Sequence, residues 1–424
     1  MIRSVAFAFV TKIFGGATVF LALPIASHAV SSADYAGFLT TMNISAVAGL
    51  LFMPFATLYV RELAHAFATE DPVLKRAAVR DTFGSHVVLT IAIAVILIIG
   101  VFLARNIITL NGAMALGILL GLIQMAASWG QLYRIAERSD HVTSVVQMVS
   151  NIIMVTVIVT LSKVHLLSIL TINTAYFGIP AIAELCIFLH LTVIRGLCVK
   201  TNICYITPIR TRIHEAIPLY LSPLADYLKI YASSLLVLSI SSSYNYILFS
   251  TSILLTARLV NPITLVTRPL MPAFIDALQR KDTEWLTGLK RLMFAAAAVG
   301  GITAAILPFC ISKNILSFAF PKEVKDVSTA YIIFCSYFAF AYALVALLAP
   351  LYIGAHRTRL YGISNLAFTM IGGAIGAILC LRFGAAGMMG SLSVMTTLCA
   401  ISLLVSIWWE NGPQALKPRK GKSV

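Results

Sequence analysis

Between residues 4 and 409 the chain is a succession of twelve apolar stretches, each about 20 residues or longer and so able to cross a bilayer as a helix. They run approximately over 4–30, 36–60, 82–103, 108–133, 142–161, 166–194, 213–238, 245–274, 292–311, 327–354, 360–381 and 385–409. With 59% hydrophobic residues, 11% charged residues and a mean hydropathy of +0.93, a soluble globular fold is excluded. The sequence predicts an all-α polytopic membrane protein. Its N-terminus, with Arg3, Lys12 and Ala26-Ser27-His28-Ala29, imitates a secretory signal, but the long apolar stretch and the spans that follow favour an uncleaved first helix.

Two successive central stretches carry charges that lipid disfavours. Asp226 and Lys229 lie deep in 213–238, and Arg258 and Arg268 lie in 245–274. At about 100° per residue, Ser222, Asp226, Lys229 and Ser233 share one face, opposite Tyr220, Tyr227 and Tyr231. The next stretch sets Ser250, Thr251, Arg258, Asn261, Thr264 and Arg268 on one side and Phe249, Leu259, Val260, Ile263 and Leu270 on the other. Asp226 and Lys229 are three apart and can neutralise each other. Arg258 and Arg268 have no acidic partner on their own helix. Traversing in opposite directions, the two helices place Lys229 and Arg258 at similar depth, with Arg268 about 15 Å closer to the inner surface. Such a ladder of positive charge suits an anionic cargo.

The net charge of +15 is not a nucleic-acid footprint, because the charges cluster in short loops between the apolar stretches. Assigning alternate loops puts 22 of the 31 Lys and Arg on one side and six on the other, with Lys229, Arg258 and Arg268 in between. The positive-inside rule then makes both termini cytoplasmic, and the basic tail from Lys417 to Lys422 an anchor near anionic headgroups. The seven cysteines form no CxxC pair and read as small packing residues. No phosphate loop, zinc-ligand spacing or nucleotide motif is evident, so no cofactor or metal is expected.

An internal repeat divides the chain. Residues 31–40 (SSADYAGFLT) match residues 242–251 (SSYNYILFST) at five of ten positions, with an offset of 211, close to half the chain. The expected lobes are 1–205 and 206–424, six helices each, and transporters built from such repeats bind substrate at the repeat interface.

The tract Asp34 to Phe38, Ile217-Pro218-Leu219, Pro269-Leu270-Met271-Pro272 and Phe383-Gly384-Ala385-Ala386-Gly387, in that order across the spans, resembles the Wzx-type polysaccharide flippases. The resemblance covers nearly the whole chain. It implies the fold of the multidrug/oligosaccharidyl-lipid/polysaccharide exporter superfamily, two pseudo-symmetric six-helix lobes around a central cavity. It implies transfer of undecaprenyl-diphosphate-linked oligosaccharide repeat units across the bacterial inner membrane by alternating access, for O-antigen or exopolysaccharide assembly, alongside a polysaccharide polymerase and chain-length regulator. In that reading Lys229, Arg258, Arg268 and Lys12 line a cationic cavity, and Asp226 or Glu184 couples transport to an ion. Lys12 can instead snorkel to the inner headgroups.

Gln124, Ser128 and Gln131, and Gln147, Ser150 and Asn151, form uncharged polar stripes for sugar contact or for interhelical hydrogen bonds. Two alternatives belong to other classes. A cation-coupled multidrug exporter of the same superfamily calls for acidic cavities, whereas the deep charges here are mainly basic. A membrane polymerase or ligase calls for catalytic groups on an outer loop, and the longest such loop, 313–326, offers no convincing carboxylate pair or histidine cluster.

Overall fold

The computed structural model describes residues 18, 21–68, 71–103, 110–137, 139–194, 220–258, 260, 327–354 and 357–409, with positions 288, 291, 295 and 302. Among them all regular structure is helical. The helices are α1 (21–29), α2 (Ser32–Ala68), α3 (Pro72–Leu103), α4 (Gly112–Ala127), α5 (Trp129–Ala136), α6 (Asp140–Lys163), α7 (Ile169–Asn173), α8 (Ile179–Leu189), α9 (220–227), α10 (Ser233–Ile240), α11 (243–258), α12 (Thr329–Gly354), α13 (Thr358–Phe383) and α14 (Ala385–Trp409). Single π-helical turns at Thr174–Gly178, His190–Ile194 and Leu228–Ala232 adjoin α7, α8 and α9. Among the described residues nine helical stretches are long and apolar enough to cross a membrane, as a multi-pass membrane protein requires. The expected spans 4–30 and 292–311 lie largely outside the described residues, as do the second half of 245–274 and the expected boundary at 205.

The described residues form two compact units, one running through Leu255 and the other starting at Thr256. In the first, α2 is the central post. Its Ile44, Phe52, Phe55, Leu58 and Tyr59 pack with Ile93 and Leu97 of α3, Met125 of α4 and Leu132 of α5. Tyr220 of α9 joins this cluster, its ring 6.3 Å from that of Phe55 and its hydroxyl donating to the Leu51 carbonyl.

The polarity of α3 is inverted relative to a soluble helix. Thr82, Ser85 and His86 are buried, whereas Ile91, Val95, Ile98, Ile99 and Phe102 are exposed. Lipid is as apolar as leucine, so polar groups turn inward to find partners and aliphatic ones remain outside.

Helix interruptions have identifiable causes. Between α4 and α5 no proline intervenes. The His86 imidazole lies 2.9 Å from the Ala126 carbonyl oxygen, and the Ser128 hydroxyl donates to the Met125 carbonyl at 2.6 Å. The Ser128 N–H also turns back to the Met125 carbonyl at 3.2 Å, a bond three residues long, and these contacts mark the interruption of the helical ladder at Ser128 within one span. The π turn before α8 precedes Pro180, which has no N–H for the Tyr176 carbonyl.

In the second unit α14 packs on α12 and α13 through Val345, Leu348, Tyr352, Tyr361, Cys399, Ala400 and Leu403. Gly384, with φ of 57°, makes the turn from α13 into α14, a conformation that side-chain-bearing residues rarely adopt. Three residues later Gly387 lies against the Leu379 backbone, where a Cβ would come within 2.5 Å of the carbonyl. The glycines of the Phe383-to-Gly387 motif thus serve a tight turn and a close helix contact.

Candidate functional site

Lys229 is the most deeply buried charge among the described residues, with 1% of its surface exposed. It lies in the π turn Leu228–Ala232. There the Ser233 N–H bonds the Leu228 carbonyl five residues back, and the Ser233 hydroxyl donates to the Lys229 carbonyl that the wider turn bypasses. A π turn therefore costs no buried acceptor and shifts the face of the helix locally, a device common at functional sites. One turn earlier, Asp226 places Oδ1 4.0 Å from Lys229 Nζ, with 38% of its side chain exposed. In the same stretch Tyr227 and Tyr231 stack, ring centroids 5.6 Å apart.

Arg258 ends the described part of α11 and is half-buried. Arg268 and Lys12 lie outside the described residues. Glu184 is 3% exposed on α8 and accepts a hydrogen bond from Gln147 Nε2 of α6 at 3.0 Å. Its second oxygen, Oε2, has no hydrogen-bond partner among the described residues. Of the polar stripes, Gln147 is thus committed to Glu184, Ser150 donates to the Gln147 carbonyl, and Ser128 donates to that of Met125.

The structure also shows polar groups that sequence reasoning did not single out. Arg134, assigned to an inner loop by the charge count, is instead buried on α5, its guanidinium 3.6 Å from Glu137. Helix α5 continues past the apolar window, and Glu137 supplies the compensating charge. Asn43 of α2 is fully buried and donates to the Tyr246 hydroxyl at 3.1 Å and to Ser250 at 3.3 Å. Beside it the Tyr35 hydroxyl meets Thr251 at 3.1 Å, and the Tyr246 hydroxyl meets Thr40 at 3.0 Å. All these residues belong to the first unit. The signal for this cluster was in the repeat, whose matched positions include Tyr35 with Tyr246 and Thr40 with Thr251.

No protein-family model matches the chain, and no curated protein does. Solved structures do. An inward-facing multidrug resistance MATE family transporter of the MOP superfamily aligns with a TM-score of 0.69 at 12% identity, over 92% of this chain and 93% of that one. The lipid II flippase MurJ in an inward closed conformation aligns with a TM-score of 0.70 at 13% identity, over 96% and 88%. The chain has the fold of these transporters. A MOP superfamily transporter from Pyrococcus furiosus, described as having a binding pocket of reverse polarity that suggests a different function, aligns at 0.62 with 12% identity, over 95% and 94%. This likeness fits the helical bundle that the sequence predicts, and at such identities it establishes fold alone.

Proposed function

We propose that the chain is a flippase that moves undecaprenyl-diphosphate-linked oligosaccharide repeat units across the bacterial inner membrane, with both termini cytoplasmic. The observation that carries this reading is Lys229, a cation withdrawn from both lipid and solvent on a membrane-spanning helix. Intramembrane cations are costly and are kept for ions, substrates or counter-ions. Arg258, Arg268 and Lys12 are proposed to complete an anion-binding surface for the diphosphate and acidic sugars, while the polyprenyl tail stays in lipid.

The likeness to MurJ, a lipid II flippase, supports a lipid-linked cargo. The reverse-polarity transporter supports the view that pocket charge varies with cargo within this fold. Nothing covalent is done to the cargo. Partners on this reading are membrane lipid, a polysaccharide polymerase and a chain-length regulator, serving O-antigen or exopolysaccharide assembly.

A second reading, a cation-coupled multidrug exporter, is favoured by the MATE likeness and by Glu184, a buried carboxylate one of whose oxygens has no hydrogen-bond partner among the described residues. In the flippase reading Glu184 and Asp226 are the groups proposed to couple transport to an ion. The test is leaflet assignment of undecaprenyl-linked oligosaccharide in vesicles holding the native chain or its Lys229→Ala, Arg258→Ala double variant. Transfer by the native chain and its loss in a folded double variant is the expected result. A native chain that moves no lipid-linked sugar but exports small organic cations overturns it in favour of the exporter.

A further inference from the structure

The two copies of the internal repeat bond to each other reciprocally. Tyr35 of the first copy meets Thr251 of the second at 3.1 Å, and Tyr246 of the second meets Thr40 of the first at 3.0 Å. Adding the offset of 211 converts Tyr35 into Tyr246 and Thr40 into Thr251, so each bond is the image of the other. A pair in which residue i meets j while the image of i meets the image of j is the signature of contact across a two-fold axis. The helix starts repeat the pattern as well. Asp34 N–H bonds the Ser31 hydroxyl at 3.1 Å, and Asn245 N–H bonds that of Ser242 at 3.3 Å. Equivalent caps set equivalent first turns, and equivalent turns present the same Tyr and Thr to each other.

Position and chemistry decide what such a contact can do. Tyr35 and Tyr246 lie three residues into α2 and α11, and Thr40 and Thr251 eight, about 5 and 12 Å along each helix. Lys229 lies eleven residues before the end of α10, which the short link at 241–242 joins to α11, or about 17 Å from that same end. The cluster therefore stands between Lys229 and the end of the helices where α2 and α11 begin.

Tyr35, Thr40, Asn43, Tyr246, Ser250 and Thr251 are each 3% exposed or less, so no water column passes through them. Parting α2 from α11 breaks both tyrosine bonds and, with them, the Asn43 bonds to Tyr246 and Ser250, so the opening needs water to take up the freed groups. Thr40 gives its only hydroxyl proton to the Ala36 carbonyl at 2.8 Å, which leaves Tyr246 as donor to Thr40 and as acceptor from Asn43. When the helices part, Thr40 keeps its own-helix partner, whereas both tyrosine hydroxyls and the Asn43 amide are left facing an opened, wettable path.

We infer that the reciprocal Tyr35–Thr251 and Tyr246–Thr40 pair is a gate that closes the end of the protein opposite its cytoplasmic face and parts once in each transport cycle. The inference rests on the transporter reading for its role and on the charge-based orientation for its side, but its test uses no cargo. A Ser250→Cys thiol, in the full-length chain from which the native cysteines other than Cys399 have been removed, reports opening through its reaction with a membrane-impermeant maleimide added outside. Cys399, fully buried in the second unit, reports unfolding.

Each interhelical hydroxyl bond is worth about a three- to fivefold shift in an opening equilibrium. Tyr35→Phe and Tyr246→Phe should therefore each speed labelling at position 250 by about that factor, equally by symmetry, and the double variant by roughly tenfold or more. Labelling at Cys399 should not change. Where the double variant loses its fold, Thr251→Val, which removes one bond, replaces it. Unchanged labelling at 250, or a parallel rise at Cys399, overturns the gate and leaves the cluster as static packing. A failure of leaflet transfer would overturn the flippase reading and leave the labelling result standing.

Discussion

Replacing Asp226 with Asn and Lys229 with Met, singly and together, distinguishes a cargo-binding lysine from an internally neutralised one. Unit charges 4.0 Å apart attract by about 1 kcal/mol in water and about 4 kcal/mol at an effective dielectric near 20. Lys229 is buried but 38% of the Asp226 side chain is exposed, so solvent holds the coupling to the lower part of that interval, about 1–2 kcal/mol. Asp226→Asn alone should lower stability by about that amount, since it withdraws the carboxylate from a buried ammonium. Lys229→Met keeps most of the side chain's length, lacking only the terminal ammonium, and removes the charge, so the double variant should recover most of the loss.

The assay is a detergent-denaturant titration in mixed micelles followed by tryptophan fluorescence, in which fully buried Trp129 contributes. Leaflet transfer is measured on the same four proteins. A coupling near zero refutes the claim that Asp226 compensates Lys229. A stable double variant that transports normally refutes the role of Lys229 in cargo binding.

Other expectations follow from the same geometry. Gly387→Ala forces a Cβ to 2.5 Å from the Leu379 backbone and should cost about 1–3 kcal/mol in the same titration, whereas Gly373→Ala meets nothing within 4 Å and should be neutral or stabilising by up to about 1 kcal/mol. His86→Leu leaves the Ala126 carbonyl without its imidazole partner and should destabilise by about 1–3 kcal/mol, while Gln at the same position, which can still donate, should cost less. Glu184→Gln can keep the bond from Gln147 and should preserve abundance while abolishing dependence of transport on an ion gradient; transport equally gradient-dependent in this variant removes Glu184 from coupling.

Much of the fold was legible because membrane helices are specified locally. Lipid supplies no partner for backbone groups, so each long apolar stretch must bond to itself, and span positions follow from composition alone. The same logic put Asp226 and Lys229 within reach of each other, and the structure sets them 4.0 Å apart. Charge counting was less sufficient. It placed Arg134 in a loop, whereas α5 carries that residue inward to Glu137. It also could not rank Lys229, which is almost wholly buried, above Arg258, which is half-buried.

The sequence by itself determined that this chain is a bundle of membrane-spanning helices, that residues 31–40 recur at five of ten positions 211 residues later, and that basic groups fall within apolar stretches. Only the tertiary structure decided that Tyr35 faces Thr251 and Tyr246 faces Thr40, that Gln147 is taken up by Glu184, and that His86 caps the break at Ser128. The physical reason is one of range. Helix formation is governed by bonds four residues long and by hydropathy, which a single pass along the chain contains. The pairing of side chains some 200 positions apart depends on which helix faces pack together, and no periodicity within one helix encodes its partner.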